Sequence, residues 1–370
     1  MIAIGAANVL SLTDPYSSNH GGTIRTRGLV EALQSLGVTT SVLTPSAAIG
    51  EQFLGTGSEP SMKARLRSKV GAVKREFLPM PTGFGARDSA LKSTVQGSDA
   101  DLLIISVLSQ APYSRFTEAP LWLDFMDVWS AFSAREARSR KGLARLTAAA
   151  QAKALARVEA RYSGSAKIVT AVGWADAELL QSRGINAVWL PVWLPDDSFA
   201  AVAPDRSEKV AGLIGNFEYW PNVDAYEALV QNWAGPLRER GWSIVVAGRQ
   251  SRERLRRVED IEIVGEVPNV DAFYERISLS LAPIRLGGGI KVKVIESLAK
   301  GIPVLGTRFA FEGFPPSLMD SVIQVELDRP DFEAMGSVDS LAPASVQLDP
   351  FRRRSAIATI TELVNGSLHG

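Results

Sequence analysis

The chain has 370 residues, 46% of them hydrophobic and 22% charged, with 40 Lys and Arg against 40 Asp and Glu. This is the composition of a soluble globular protein with enough apolar residues for roughly two domain cores. A net charge of zero argues against a protein whose main partner is nucleic acid. The absence of cysteine excludes disulfides and thiolate nucleophiles, and only two histidines argue against a histidine-rich zinc site.

The N-terminus shows neither a signal-peptide pattern nor an apolar run of ~18 residues, so we expect a cytoplasmic protein without a membrane span. Residues 1–204 are mildly basic, with 21 Lys and Arg against 17 Asp and Glu. The basic amphipathic stretch 63–78 is either a solvated helix face or a surface for an anionic acceptor or lipid. Peripheral contact at the cytoplasmic face of a membrane therefore stays open.

The first half alternates strands and helices, beginning with an apolar strand over residues 2–12 and a helix from about residue 23 to Gly37. Between them lies a polar loop that contains His20, Gly21 and Gly22 at the helix N-terminus, a corner that can face phosphate. The loop is neither GxGxxG nor GxxxxGK[ST], so it does not support a Rossmann dinucleotide site or a P-loop.

Further strands are predicted over residues 38–43, 102–107, 121–129, 166–171 and 187–190. Asp124 and Asp127 come at the end of one of these strands, where doubly wound sheets bind ligands, although either can instead cap the next helix. Residues 133–162 are interpreted as an ordinary solvated helix pair. The proline-rich segment 191–204 is interpreted as a linker between domains.

The second half repeats the alternation, with strands over residues 210–214, 243–247, 261–264, 279–284 and 303–306. Asn222 is placed as the N-cap of a helix that begins at Val223. This spacing predicts an α/β chain with parallel sheets covered on both faces by helices. A last helix, over residues 351–364, is expected to return to the first domain.

One glycine loop, Gly287-Gly288-Gly289, follows the strand over residues 279–284 and precedes a helix. The helix N-terminus and the neighbouring Arg285, Lys291 and Lys293 favour a phosphate or diphosphate. Glu296 lies on the same helical face as Lys293 and can accept hydrogen bonds from sugar hydroxyls. The alternative is an ordinary strand-to-helix turn with solvated lysines.

Five motifs in order resemble those of GT-B glycosyltransferases, most closely the large retaining family 4, over about residues 205–315. They are GNFEYWPNVDA from Gly215, Gly248-Arg249, Gly265-Glu266-Val267 with Val270 and Tyr274, Pro283 to Thr307, and Glu312-Gly313. The N-terminal half matches only loosely.

The resemblance implies two Rossmann-like domains with parallel sheets facing an interdomain cleft. Residues 1–200 would bind the acceptor and 201–350 the nucleotide-sugar, with the helix over 351–370 packing back on the first domain. The implied activity is that of a hexosyltransferase that moves a sugar from a nucleoside diphosphate donor, UDP- or GDP-sugar, to a glycan or lipid-linked acceptor. Transfer would retain anomeric configuration, without a metal or other cofactor.

By position, Glu296 matches the second glutamate of the family's E-x7-E motif, and the resemblance implies that this glutamate binds the ribose. Gly288 stands where the family has the first glutamate. The family's usual Arg and Lys after the first strand of this domain are absent, with Asn216 and Asn222 nearby. The catalytic candidates are Lys293, Glu296, Arg249 and Asp127. The substrate-binding candidates are His20, Gly21, Gly22, Asn216, Asn222, Glu266, Val267, Arg285, Gly288, Gly289 and Ile290. His20 and Asp127 are the weaker candidates for a general base, because each is better suited to positioning or capping than to abstracting a proton.

Two other classes of protein remain open. A UDP-sugar 2-epimerase of GT-B type would share the fold, but it should have more acids and histidines at the cleft. A nucleotide-sugar-binding protein without catalysis is compatible with Gly288 in place of a glutamate.

Overall fold

Two parallel sheets, one in each half of the chain, organise the protein. The computed structural model describes residues 4–16, 21–45, 86, 88–200, 208–286, 290–332 and 345–368. The chain divides into two compact units, Met1–Leu190 with Ile357–Gly370, and Pro191–Ala356. The α/β architecture with parallel sheets predicted from the sequence is confirmed. The basic stretch 63–78 lies outside the described residues.

The first unit contains a six-stranded parallel sheet in the order β2-β1-β3-β4-β5-β6. Its strands are β1 Ala6–Leu10, β2 Thr39–Leu43, β3 Leu102–Ile105, β4 Leu121–Phe125, β5 Ile168–Ala171 and β6 Ala187–Trp189. Its helices are α1 Gly21–Ser35, α2 Ser89–Gln96, α3 Trp129–Ser139, α4 Gly142–Ser165 and α5 Trp174–Ser182. Strands β3, β4 and β5 are buried throughout, as expected for the centre of a parallel sheet.

Gly37 ends the first helix, as the sequence predicted. Its φ of 86° is in the left-handed region, and the amide of Val38 reaches back to the carbonyl of Leu33 at 3.0 Å. This bond satisfies a helix-terminal carbonyl, and the left-handed position favours glycine because it has no Cβ.

Helices α3 and α4 form a hairpin joined by Arg140 and Lys141. Glu159 of α4 is fully buried and accepts hydrogen bonds from the backbone amide of Ser130 at 2.8 Å and from Arg183 at 3.1 Å. Because Ser130 lies in the first turn of α3, the Glu159 carboxylate satisfies an amide that has no partner within its own helix.

The second unit contains a six-stranded parallel sheet in the order β12-β11-β10-β7-β8-β9. Its strands are β7 Val210–Ile214, β8 Ser243–Ala247, β9 Ile261–Gly265, β10 Leu279–Ala282, β11 Val304–Gly306 and β12 Val322–Gln324. Its helices are α6 Trp220–Ala228, α7 Ala234–Glu239, α8 Ser251–Arg254, α9 Asp271–Tyr274, α10 Val292–Ala299 and α11 Ser345–Leu348. The core beside this sheet includes the buried side chains of Tyr226 and Trp233.

The last helix, α12 Arg353–Leu368, begins in the second unit, and residues from Ile357 onward are grouped with the first. Ile360 and Val364 are fully buried along it. Within the second unit, the amide of Leu194 donates to the carbonyl of Phe351 at 2.9 Å, so the start of the predicted linker is hydrogen-bonded. Among the described helices, none is long and apolar enough to span a membrane.

Candidate active site

The loops that follow β7, β8 and β9 meet at one edge of the second sheet. Because neighbouring strands are parallel, their carboxyl ends share an edge, where ligands of open α/β sheets bind. The amide of Gly248 donates to the carbonyl of Gly265 at 2.7 Å, and that of Phe217 donates to the carbonyl of Arg249 at 2.9 Å. Backbone bonds therefore hold together the three loops that carry Asn216, Arg249 and Glu266.

Gly248 is required by the close approach of two of these loops. Its φ is 131°, and a Cβ built on it would lie 1.9 Å from the carbonyl oxygen of Gly215. No larger residue fits without moving the loop after β7. The Gly-Arg pair predicted as a motif thus has a packing reason for its glycine.

Lys293 lies at the start of α10, and its ammonium donates to the side-chain oxygen of Asn222 at 2.9 Å. The side-chain amide of Asn222 in turn donates to the carbonyl of Asn216 at 2.7 Å. A Cβ on Gly215 would lie 3.1 Å from the Lys293 ammonium, so this glycine leaves room for the cation. The structure therefore brings three predicted site residues, Lys293, Asn222 and Asn216, into direct contact.

The environment of Lys293 disfavours its charge. Burial, aided by the nearby charge of Lys291, lowers its pKa to about 8, although Glu296 acts in the opposite direction. A lysine held in this way gains more from a bound anion than a fully hydrated one, because less water must be displaced.

Glu296 lies one helical turn after Lys293, as the sequence predicted. Burial raises the pKa of its carboxyl group, and the charge of Lys293 opposes the rise. The hydroxyl of Tyr274 lies 3.5 Å from Glu296 Oε2 and 3.4 Å from the carbonyl of Lys293. Burial, followed by the charge of Glu296, raises the Tyr274 pKa well above 10, so this hydroxyl keeps its proton.

Tyr274 joins this group of candidate residues, although its motif alone predicts no role for its side chain. Ser297, beside Glu296, donates to the Lys293 carbonyl at 2.7 Å and lies 2.8 Å from the hydroxyl of Ser280. The motif position of Tyr274 was visible in the sequence, but its contact with a helix 22 residues later was not.

The other two predicted diphosphate cations are paired with carboxylates. Arg285 makes two hydrogen bonds to Asp224, at 2.8 and 2.9 Å, which raise its pKa. Arg249 lies 3.6 Å from Glu218, and both side chains are exposed. Lys293 is the one of these three cations that forms no ion pair with a carboxylate of the described chain.

Asn222 is not the N-cap that the sequence predicted. Helix α6 begins at Trp220, two residues earlier, with Tyr219 at the cap, so Asn222 lies inside the first turn. Pro221 fits this earlier start, because a proline near the first helical position loses no intrahelical hydrogen bond. The Asn222 side chain is thereby available to Lys293 and to the Asn216 carbonyl.

The remaining predicted residues of the second unit flank this group. Glu266 is exposed, whereas Val267 is partly buried against the cluster that contains Tyr274. Ile290 is partly buried before α10, and the Lys291 ammonium lies 5.2 Å from the centre of the Phe309 ring. Gly288 and Gly289 lie outside the described residues.

In the first unit, Gly21 and Gly22 form the first turn of α1, and the Gly22 carbonyl accepts a hydrogen bond from the Thr26 hydroxyl at 3.1 Å. Asp127 is partly buried just after β4. His20 lies outside the described residues. Of the residues predicted in the first unit, the two glycines therefore lie in α1, and Asp127 lies in the loop after β4.

Asp124 does not cap the helix that follows β4. It is fully buried within β4 and binds Arg25 of α1 through two hydrogen bonds, at 2.8 and 3.0 Å. The Thr170 hydroxyl donates to the same carboxylate at 2.6 Å. Asp124 therefore fixes α1 to the sheet, since Arg25 is itself only 2% exposed.

Three buried polar atoms after β3 have no hydrogen-bond partner among the described residues: Ser106 Oγ, Ser109 Oγ and Gln110 Oε1. The Gln110 side-chain nitrogen donates to the carbonyl of Ser11, at the end of β1, at 3.2 Å. Unsatisfied buried polar groups are uncommon, and a polar ligand is one explanation for them. No motif in the sequence marks these three residues.

A cavity of about 620 Å³ opens at the opposite, amino edge of the second sheet, beside Glu208, Ser243, Asp260 and Arg276. It contains none of the predicted site residues. Among the described residues, no group of three or more His, Cys, Asp or Glu is arranged to hold a metal ion.

Comparisons with known proteins relate the second unit to a family model and the whole chain to solved structures. Residues 208–328 match the family model described as Glycosyl transferases group 1. The structure is similar to that of HepE from Anabaena in complex with UDP and glucose, at 13% identity and a TM-score of 0.57, over 98% of this chain and 100% of that chain. No curated protein sequence matches the chain.

Two further solved structures share the fold. Sucrose-phosphate synthase from Thermosynechococcus elongatus matches at 14% identity and a TM-score of 0.57, over 98% of this chain and 95% of that chain. The lipopolysaccharide outer core galactosyltransferase WaaB matches at 12% identity and a TM-score of 0.55, over 98% and 99%. The chain therefore has the predicted GT-B fold, and its residues 208–328 match the group 1 glycosyltransferase model.

Proposed function

We propose that this glycosyltransferase moves a sugar from a UDP- or GDP-sugar to a glycan or lipid-linked acceptor, with retention of anomeric configuration and without a bound metal. The observation that carries the proposal is the position of Lys293. Its ammonium lies between Asn222 and Gly215 at the carboxyl edge of the second sheet, without a carboxylate partner in the described chain.

The diphosphate of the donor is the group best suited to this position. A cation at the start of α10, in a partly buried setting, favours an anion, and the backbone amides of the same helix end add to the attraction. When the bond between the sugar and the diphosphate breaks, negative charge develops on the leaving oxygen. A fixed cation there stabilises the transition state more than the ground state.

Glu296 is assigned to the ribose of the donor. Its carboxylate is one turn from Lys293, partly buried, and close to the Tyr274 hydroxyl. A carboxylate repels phosphate but accepts hydrogen bonds from vicinal hydroxyl groups. The pair Lys293 and Glu296 thus distinguishes the two ends of a nucleoside diphosphate, which supports a nucleotide donor over a simple phosphate ester.

The acceptor is assigned to the first unit. The Ser106 and Ser109 hydroxyls and Gln110 Oε1, which have no partner in the part of the chain that the structure describes, give this unit hydrogen-bonding groups for a hydroxyl-rich ligand. WaaB, a lipopolysaccharide galactosyltransferase, shares the fold, which agrees with a glycan or lipid-linked acceptor. We propose that the donor phosphate itself accepts the proton of the attacking hydroxyl.

The direct test is to incubate the protein with UDP-, GDP- and ADP-sugars and to measure released nucleotide with and without candidate glycan acceptors. Release that depends on the acceptor supports transfer. Interconversion of the sugar without release would replace transfer by 2-epimerase activity, and binding without turnover would indicate a nucleotide-sugar-binding protein.

Two variants and two further measurements sharpen this test. Glu296→Ala should weaken donor binding, whereas the matched exposed variant Glu275→Ala, at the other edge of the sheet, should not. The anomeric configuration of the product, measured by NMR, tests retention, and activity in excess EDTA tests metal independence. Unchanged donor binding and turnover in Glu296→Ala would contradict the assignment.

The proposed location is the cytoplasm, at the cytoplasmic face of a membrane. Fractionation of cells that produce the protein, followed by immunodetection, tests it.

A further inference from the structure

We propose that the tip of the α3–α4 hairpin, residues 138–146, docks on an anionic lipid membrane surface. This inference concerns a surface of the first unit and does not depend on the donor site of the second.

In the central part of the hairpin, residues 137–158, every charged side chain is basic. Between Ala137 and Val158 the sequence contains six basic residues and no acidic one. At the tip, Arg138, Lys141 and Arg145 are exposed and form no ion pair within the described chain. An anionic surface attracts all three charges at once. Basic segments bind the anionic leaflet of a membrane by the same attraction.

The same tip exposes large apolar side chains. Leu143 is 60% exposed and Leu146 is 66% exposed, three residues apart on one face of α4. Phe132, on the exposed face of α3, is 50% exposed. The first turns of α4 thus place leucines beside Lys141 and Arg145, the combination that interfacial helices use to insert below lipid headgroups.

The hairpin is anchored so that these residues stay together. Only Arg140 and Lys141 separate its helices, and Gly142 turns the chain with a φ of 57°. Glu159 ties α4 to the start of α3 through Ser130. The short connection and the hydrogen bond between Ser130 and Glu159 therefore keep the cations and leucines of the tip close together.

A lipid surface fits this combination better than a nucleic acid or an anionic glycan. Each of those ligands would use the cations, but neither offers an apolar phase for Leu143 and Leu146, and residues 138–146 contain no aromatic side chain for stacking on bases. The sequence alone predicts an ordinary solvated helix pair here. The exposure of the two leucines is the observation that changes that interpretation.

Co-sedimentation of the full chain with vesicles tests the proposal. We expect binding to vesicles of phosphatidylcholine mixed with phosphatidylglycerol, and at least ~10-fold weaker binding to phosphatidylcholine alone. Leu143→Ser/Leu146→Ser and Lys141→Glu/Arg145→Glu should each weaken binding by at least ~10-fold, because one loses insertion and the other loses charge attraction.

Two matched variants control for folding and total charge. Leu143→Met/Leu146→Met keeps the tip apolar and should bind normally. Arg254→Glu/Arg257→Glu changes net charge by the same amount on exposed residues of the second unit and should also bind normally. Circular dichroism melting confirms that all variants fold.

Three outcomes would overturn the proposal. They are equal binding to neutral and anionic vesicles, binding that both tip variants leave unchanged, and a concentration-dependent dimer in size-exclusion chromatography that Leu143→Ser/Leu146→Ser abolishes. The last would assign the tip to a second copy of the chain. Donor binding measured on the same variants should be unchanged, so a failure of the donor assignment would be seen separately.

Discussion

The ammonium of Lys293 lies 2.9 Å from the side-chain oxygen of Asn222, although 71 positions separate the two residues in the chain. Asn222 is a neutral partner. It can orient the lysine by a hydrogen bond without cancelling its charge, whereas Asp224 neutralises Arg285 nearby. A site that must bind a diphosphate and then stabilise a leaving diphosphate needs such a cation.

We therefore expect Lys293→Met to lower donor turnover by ~100- to 1000-fold, the usual effect of removing one group that stabilises developing negative charge. The exposed Lys209→Met, at the amino edge of the same sheet, should leave turnover unchanged. The measurement is nucleotide release at saturating donor, with the fold of each variant checked by thermal melting. Equal rates in both variants would remove Lys293 from the mechanism.

The lowered pKa of Lys293, about 8, predicts a pH dependence of donor binding. Below this pKa the lysine is charged and attracts the diphosphate, and above it the lysine becomes neutral. The affinity for a UDP- or GDP-sugar should therefore fall by about tenfold between pH 7 and pH 9. Isothermal titration calorimetry over this range measures the effect.

Lys293→Arg is the matched variant for the pH measurement, because a guanidinium stays protonated throughout the range. Its affinity should be lower at pH 7 but nearly constant up to pH 9. The same pH dependence in Lys293→Arg as in the wild type would assign the titration to another group.

The contact between Gly248 and Gly215 predicts a large loss of stability in Gly248→Ala. The new methyl group would lie 1.9 Å from a carbonyl oxygen, at a φ of 131°. We expect the free energy of unfolding to fall by more than ~3 kcal/mol, since both steric overlap and backbone strain oppose the alanine.

Gly241→Ala is the matched control for this change. Gly241 also has a positive φ, 80°, but a Cβ there would meet nothing within 4 Å, so its cost should be about 1 kcal/mol of strain alone. Urea unfolding of the two variants separates overlap from strain. Similar losses in both would show that the loops near Gly248 move apart easily.

Much of the fold follows from local sequence patterns. The predicted strands over residues 210–214 and 243–247 match β7 and β8 at both ends, because apolar runs bounded by glycine or charge define buried parallel strands. The strand, glycine loop and helix around Lys293 were also predicted, and α10 begins at Val292. Strand β12, only three residues long, gave no recognisable pattern.

The partners of the polar side chains did not follow from the sequence. Arg285 was predicted to face the diphosphate, but its two hydrogen bonds to Asp224 join residues 61 positions apart. Such pairings depend on how helices pack on the sheet. The periodicity of hydrophobic residues along the sequence does not predict them. The roles of Arg285 and Arg249 in binding the nucleotide-sugar stay predictions. A bound diphosphate would have to share each arginine with its neighbouring carboxylate.

The buried pair of Arg25 and Asp124 predicts a structural penalty. Asp124→Asn would replace the carboxylate that accepts two hydrogen bonds from the Arg25 guanidinium, which is 2% exposed, with a neutral amide. We expect the free energy of unfolding to fall by about 3–5 kcal/mol, the usual cost of breaking a buried pair from one side. Urea unfolding at neutral pH measures it.

The exposed pair of Arg238 and Asp260, 2.7 Å apart with both side chains at least 40% exposed, supplies the comparison. Asp260→Asn should cost less than ~1 kcal/mol, because water already solvates both charges. A double variant, Arg25→Met/Asp124→Asn, should recover much of the loss, because Arg25→Met removes the buried positive charge. If Asp124→Asn instead lowers transfer activity while leaving stability intact, Asp124 belongs to the acceptor site and not to the anchor of α1.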